Sequence, residues 1–306
     1  MRRFSPAMVL VCALTVAGCQ QPRRPDPPPA PGTVERTVNA DGVARTYRIH
    51  VPGGLNGSAP LVIVLHGGGG NGAQVEQQTR FTATADQQGF VVAYPNGSGR
   101  TRLKTWNAGT CCGYARDQRV DDVTFIRAML DAITAEFRID PARVYVTGFS
   151  NGAMMAYRLG CELTGRIAAI APVSGALNTE PCTPSRPLPV LHLHGDADQV
   201  VPIAGGPPLR EVPGTPPWPN TSLAYAKGFW ARHNDCPATP AETSRGSIST
   251  TIHAPCADGT EVVQVVIDGG GHAWPGGIPV RAAADDPPPA PDANAVIWAF
   301  FTRHHN

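Results

Sequence analysis

Charge is scarce in this chain. Asp, Glu, Lys and Arg supply 16% of its 306 residues, and 25 basic residues nearly cancel 24 acidic ones. A chain so close to neutral has no broad cationic footprint, which argues against nucleic acid as a partner. Long apolar runs are also lacking. The run from Ala7 to Val16 is too short to span a bilayer comfortably. No C-x-x-C spacing occurs, so the cysteines do not read as metal ligands, and no metal or organic cofactor is expected. The glycine run that starts at Gly67 is not followed by Gly-Lys-Ser/Thr, which sets a phosphate loop aside. There is no internal repeat. What is plentiful is Gly (33) and Pro (32), the mark of many turns, beside an apolar fraction of 42% that suits a sizeable core.

The N-terminus reads as a targeting segment. Arg2 and Arg3 precede the apolar run, which closes on Val16-Ala17-Gly18-Cys19. That tetrad resembles a bacterial lipobox, with cleavage before Cys19 and lipid attached to it. An ordinary signal peptide with a cysteine near its cleavage site is the competing reading. Gln20 is not acidic, which in a Gram-negative host permits export to the outer membrane. Residues 1–18 are thus expected to be a signal, 19–34 a Pro-rich tether and 35–306 one folded domain, held outside the cytoplasm at a membrane or secreted, and acting as a monomer. Of 8 cysteines, six fall in that domain, and an even set in an exported chain implies disulfides. Cys236 is expected to pair with Cys256 around one loop-rich insertion. Cys111 and Cys112 are expected to find separate, distant partners, with a bridge between the two as the less favoured alternative.

Continuous apolar stretches such as Leu61 to Leu65 read as strands buried on both faces. Strands are also expected at residues 90–95, 144–149, 167–173, 189–194 and 261–267, with one edge strand over 37–51. Helices are expected at 75–88, 120–137, 221–233 and 294–302. The alternation predicts a mostly parallel sheet with helices on both faces.

The most informative stretch is Val144 to Ala153, which contains Gly148-Phe149-Ser150-Asn151-Gly152. A strand, a serine between two glycines and a helix make the G-x-S-x-G nucleophile elbow. A serine hydroxyl needs an imidazole base, and the base needs a carboxylate to hold its tautomer. In this arrangement the acid and then the base follow the serine along the chain. Asp198, in the loop after a strand, is the candidate acid, with Asp196 as its rival. His272, in the glycine-rich loop after the last strand, is the candidate base. The His66-Gly67-Gly68-Gly69-Gly70 loop reads as one half of an oxyanion hole, the helix start at Asn151 as the other. Trp106 and Trp274 are candidate walls of the substrate pocket. The Pro-rich 205–220 stretch reads as a rim loop, and His192 and His194 as structural.

Taken together, Leu65-His66-Gly67-Gly68-Gly69, Cys111-Cys112-Gly113, Val120-Asp121-Asp122-Val123, Gly148 to Tyr157, His194-Gly195-Asp196-Ala197-Asp198 and Gly270 to Gly277 resemble the polyhydroxybutyrate depolymerase and feruloyl esterase family of α/β-hydrolase esterases, over about residues 35–303. The resemblance implies an α/β-hydrolase fold and hydrolysis of feruloyl, acetyl or hydroxyalkanoate esters through an acyl-serine. It implies Ser150 as nucleophile, Asp198 as acid and His272 as base. The N–H groups of Asn151 and Gly68 would bind the oxyanion, with Gly67 as the neighbouring candidate. A serine peptidase on the same fold, and a non-catalytic tethered binder of polymer or carbohydrate, are the alternatives.

Overall fold

The computed structural model describes residues 1, 32–210, 212, 217–281 and 284–306. The expected signal, Cys19 and most of the tether lie outside the described residues. Strand β1 (Gly32–Ala40) begins within the stretch read as tether, and it pairs antiparallel with β2 (Val43–Val51) across Asp41-Gly42. Both turn residues have positive φ, 50° and 81°. That is the demand of a type I′ turn, which Asp-Gly meets well. The single edge strand expected over 37–51 is therefore a hairpin.

The chain continues through β3 (Ala59–Leu65), α1 (Gly72–Thr79), α2 (Phe81–Gln88), β4 (Val91–Pro95), α3 (Gly113–Asp117), α4 (Asp122–Glu136) and β5 (Ile139–Phe149). It then forms α5 (Asn151–Glu162), β6 (Ala169–Val173), β7 (Val190–Gly195), α6 (Leu223–His233), β8 (Ala241–Arg245), β9 (Ile248–His253), β10 (Val262–Ile267) and α7 (Ala293–Phe301). The one helix expected over 75–88 is broken at Arg80, whose φ of 55° is left-handed, so α1 and α2 meet at an angle. Helix α4 starts as the sequence suggests: Asp121 caps it by accepting from the Thr124 N–H at 2.9 Å.

The strands form one sheet in the order β1-β2-β4-β3-β5-β6-β7-β10-β9-β8. From β4 to β10 every neighbouring pair is parallel, and antiparallel hairpins close both edges. Alternation along β3 separates two cores. Leu61, Ile63 and Leu65 join the core covered by α4, α5 and α6, while Val62 and Val64 join the one covered by α1, α2 and α7. The parallel strands all point their carboxyl ends one way. The loops after β3, β5, β7 and β10 therefore share one rim, where ligands of open α/β sheets bind.

Candidate active site

Ser150 sits in the turn between β5 and α5 with φ 57° and ψ −121°, a conformation that costs a non-glycine residue strain. Its flanking glycines are there for clearance. A Cβ on Gly148 would stand 2.6 Å from the carbonyl carbon of Gly152, and one on Gly152 would collide with the Leu65 carbonyl oxygen. The Ser150 N–H donates to Val173 O on neighbouring β6 at 2.9 Å, which ties the turn to the sheet.

His272 Nε2 lies 2.9 Å from Ser150 Oγ, and His272 Nδ1 lies 2.7 Å from Asp198 Oδ2. The three groups come from the loops after β5, β7 and β10. Asp198 is buried, at 2% exposure. Its Oδ1 accepts the N–H groups of Val200 and Val201, each at 2.8 Å. Burial alone would raise its pKa. His272, the hydrogen bond to it, His194 and the Val201 amide outweigh burial and hold the carboxyl below its usual range. The rival Asp196 braces a turn instead, with Oδ1 accepting from the Gly269 N–H at 2.7 Å.

A residue the sequence reading passed over completes the His272 loop. Asp285 Oδ2 accepts the His272 backbone N–H at 2.7 Å while Oδ1 takes the Arg210 guanidinium at 2.6 Å. Asp285 stands in an acidic, proline-rich stretch whose local pattern says nothing about a partner 13 residues away.

Facing Ser150 is the loop after β3. An added Cβ on Gly67 would lie 3.4 Å from Ser150 Cβ, and one on Gly68 would lie 3.6 Å from Asn151 Cβ. Among the described residues, neither the Gly68 nor the Asn151 N–H donates to another protein group. Two unspent donors beside the nucleophile are what an oxyanion requires. Both loop and elbow are locked from behind. Asn151 Oδ1 accepts from Trp106 N at 2.7 Å, and its Nδ2 donates to Trp106 O at 3.1 Å. Trp106 Nε1 donates to His66 O at 2.9 Å. A cavity of about 450 Å³ behind this loop, touching Arg45, Asn71, Asn96 and Lys104, does not reach Ser150.

Two expectations need correction here. Trp106 and Trp274 are 0% and 1% exposed. Trp106 is engaged as above, and Trp274 packs on Phe81 and donates through Nε1 to Asn294. Their rings are core, so neither can wall a substrate pocket. The cysteines also differ. Cys111 pairs with Cys112 itself and Cys161 with Cys182, while Cys236 pairs with Cys256 as expected. The adjacent pair closes on itself within the loop held by Asn151, whose Nδ2 lies 3.7 Å from Cys111 Sγ. The Pro-rich rim loop is closed at its base by Gly206 and Asn220, which exchange hydrogen bonds of 2.9 and 3.0 Å.

Behind Asp198 runs a buried chain of neutral imidazoles. His194 Nε2 lies 2.8 Å from Val201 O, a pure acceptor, so that nitrogen carries the proton. His194 Nδ1 must then accept from His192 Nε2 at 2.9 Å, and His192 Nδ1 from the Tyr157 hydroxyl at 2.6 Å. His66 is fixed likewise: Nδ1 donates to Gly67 O at 2.8 Å and Nε2 accepts the Gly97 N–H at 2.9 Å. Burial pushes His66 down to about 4 and lowers His192 and His194 too. These bases stay neutral in the fold yet protonate near 6.5 when unfolded. The unfolded state therefore binds more protons between those values, so stability is full above 6.5 and is lost as pH falls toward 4. His66 alone accounts for roughly 3 kcal/mol of that loss. Calorimetry should show Tm falling steadily between about pH 6.5 and about pH 4; a flat Tm there contradicts the neutral assignments.

Residues 45–219 match the family described as esterase PHB depolymerase, a span that includes Ser150 and Asp198. NocK of Nocardia uniformis subsp. tsuyamanensis is 34% identical across 90% of this chain and 90% of its own. Feruloyl esterase B of Piromyces equi is 34% identical over 75% of this chain, and the match spans 42% of that relative's length. The solved acetyl xylan esterase from Aspergillus awamori superposes with a TM-score of 0.60 at 16% identity, covering 78% of this chain and 94% of its own. At that identity the likeness speaks to the fold alone, which is the α/β-hydrolase fold.

Proposed function

This chain belongs to the esterase PHB depolymerase family and is a serine carboxylesterase, and from that premise we propose that it works through a Ser150–His272–Asp198 triad on feruloyl, acetyl or hydroxyalkanoate esters. The observation that carries the reading is the unbroken line of hydrogen bonds from Asp198 Oδ2 through the His272 ring to Ser150 Oγ, 2.7 and 2.9 Å. The Ser150 oxygen adds to the ester carbonyl as His272 Nε2 takes its proton. Asp198 stabilises the imidazolium without itself becoming protonated. The N–H groups of Gly68 and Asn151 receive the oxyanion, with Gly67 as neighbour. Collapse expels the alkoxide, which leaves with the proton from His272. Water, activated by the same ring, then clears the acyl-serine.

A common acyl-enzyme has a kinetic consequence. Esters sharing one acyl group but differing in alcohol should partition between water and added methanol in one fixed ratio. A ratio that changes with the leaving group contradicts the intermediate.

The place of action is proposed on the same terms. Three disulfides suit an oxidising compartment, which supports export. Among the described residues no helix is long and apolar enough to cross a membrane. A lipid on Cys19 would supply the membrane attachment, and Cys19→Ser should then release the enzyme to the soluble fraction.

A further inference from the structure

One cation at the rim has no counter-ion. Arg281, in the chain that returns across the site after His272, donates through Nη2 to Gly68 O at 3.2 Å. Its guanidinium turns its terminal nitrogens toward the bare backbone of the oxyanion loop: a Cβ on Gly69, where φ is +70°, would meet Nη2 at 3.1 Å and Nη1 at 3.4 Å. Among the described residues no carboxylate lies within ion-pairing distance of it. The nearest acid along the chain, Asp285, is already committed to Arg210 at 2.6 Å and to the His272 N–H at 2.7 Å. Lys104 is occupied too, with Nζ donating to Gly99 O at 2.9 Å. His66, which feels both cations, is neutral. Packing against the loop lowers the Arg281 pKa although the residue stays exposed, and no anion among the described residues is set against it. A guanidinium remains charged under those conditions. The bond to Gly68 engages one of its five N–H donors and the residue is exposed, so donors remain for a carboxylate arriving from solvent.

We propose that Arg281 forms a subsite for a carboxylate carried by the ester substrate. The preferred substrates are then half-acid esters, such as short hydroxy-acid oligomers ending in a free carboxylate or half-esters of dicarboxylic acids. This rests on the esterase reading above and narrows its substrate class. The subsite borders the oxyanion loop, one residue from the carbonyl-binding N–H of Gly68. It can therefore serve a carboxylate on the acyl side or on the alcohol side, and the test separates the two. Charge-assisted pairing at a partly exposed guanidinium corresponds to about tenfold in kcat/KM, and added salt should erode it.

The experiment uses the full chain and two matched pairs. Mono-p-nitrophenyl adipate against p-nitrophenyl hexanoate places the charge on the acyl side. 4-Butyryloxybenzoate against 4-butyryloxybenzamide places it on the alcohol side. The readout is the anionic-to-neutral ratio of kcat/KM in wild type divided by that ratio in Arg281→Gln, which cancels both intrinsic reactivity and general damage to the loop. A quotient of about ten for one pair, partly restored in Arg281→Lys, is expected, and the responding pair identifies the side. A quotient near one for both pairs overturns the subsite while leaving the esterase reading intact. If wild type and Ser150→Ala turn over the neutral esters equally, the esterase site itself has been misassigned, and the subsite falls with it.

Discussion

Ser150→Ala is expected to reduce p-nitrophenyl ester turnover by ~10⁶-fold, since one triad member removed disables the unit. The substitution deletes only the Oγ that stands 2.9 Å from His272 Nε2. The other ties of Ser150 itself run through its backbone: Ser150 N to Val173 O, and Met154 N to Ser150 O at 3.0 Å. Alanine keeps a Cβ in the same strained turn, so the conformational cost is already present in the wild type. The thermal transition should accordingly stay within a few degrees of wild type, about 1 kcal/mol or less in stability. Steady-state kinetics beside a melting curve decide the matter. Undiminished turnover in a folded variant would refute Ser150 as the nucleophile.

Asp198→Asn is the second large effect, about 10⁴-fold in kcat, and the geometry says why. Oδ1 accepts two N–H groups, from Val200 and Val201. In the asparagine only the carbonyl oxygen can fill that position, because an amide nitrogen there would face two donors. The NH₂ is then forced toward His272 Nδ1, where a carboxylate oxygen sits at 2.7 Å in the native site. His272 must accept at Nδ1 and carry its proton on Nε2, the tautomer that cannot receive the proton of Ser150. Asp196→Asn should leave kcat near wild type, since that side chain only braces Gly269. A folded Asp198→Asn enzyme keeping more than about a tenth of kcat would contradict the assignment.

The parts of this site that could be read in the sequence share a cause. G-x-S-x-G, the acid loop and the His272 loop are local patterns in which backbone sterics dictate the letters, as the blocked space at Gly148 and Gly152 makes plain. The parallel strands were equally legible because burial on both faces leaves unbroken apolar runs. What escaped is non-local or locally ambiguous. The β8–β9 hairpin lies at a sheet edge, and all of β8 is exposed, so no apolar alternation marks it. The break at Arg80 depends on one positive φ that no glycine announces. Trp106 and Trp274 stand in site loops, and sequence cannot tell a ring turned to substrate from one turned to the core. The Cys111–Cys112 bridge was displaced in expectation by more distant partners, although the loop folds back on itself through Ala108 and Cys111. Asp285 and Arg281 meet the site only through the return of the chain across the rim.

A fluorophosphonate, which phosphonylates only a serine whose base and oxyanion donors are in place, addresses the whole alignment at once. After reaction with the intact protein, peptide mass spectrometry should find one adduct, on the peptide holding Ser150, and none in His272→Ala. An unlabelled wild-type chain, an adduct on another residue, or labelling that persists without the imidazole would contradict the account.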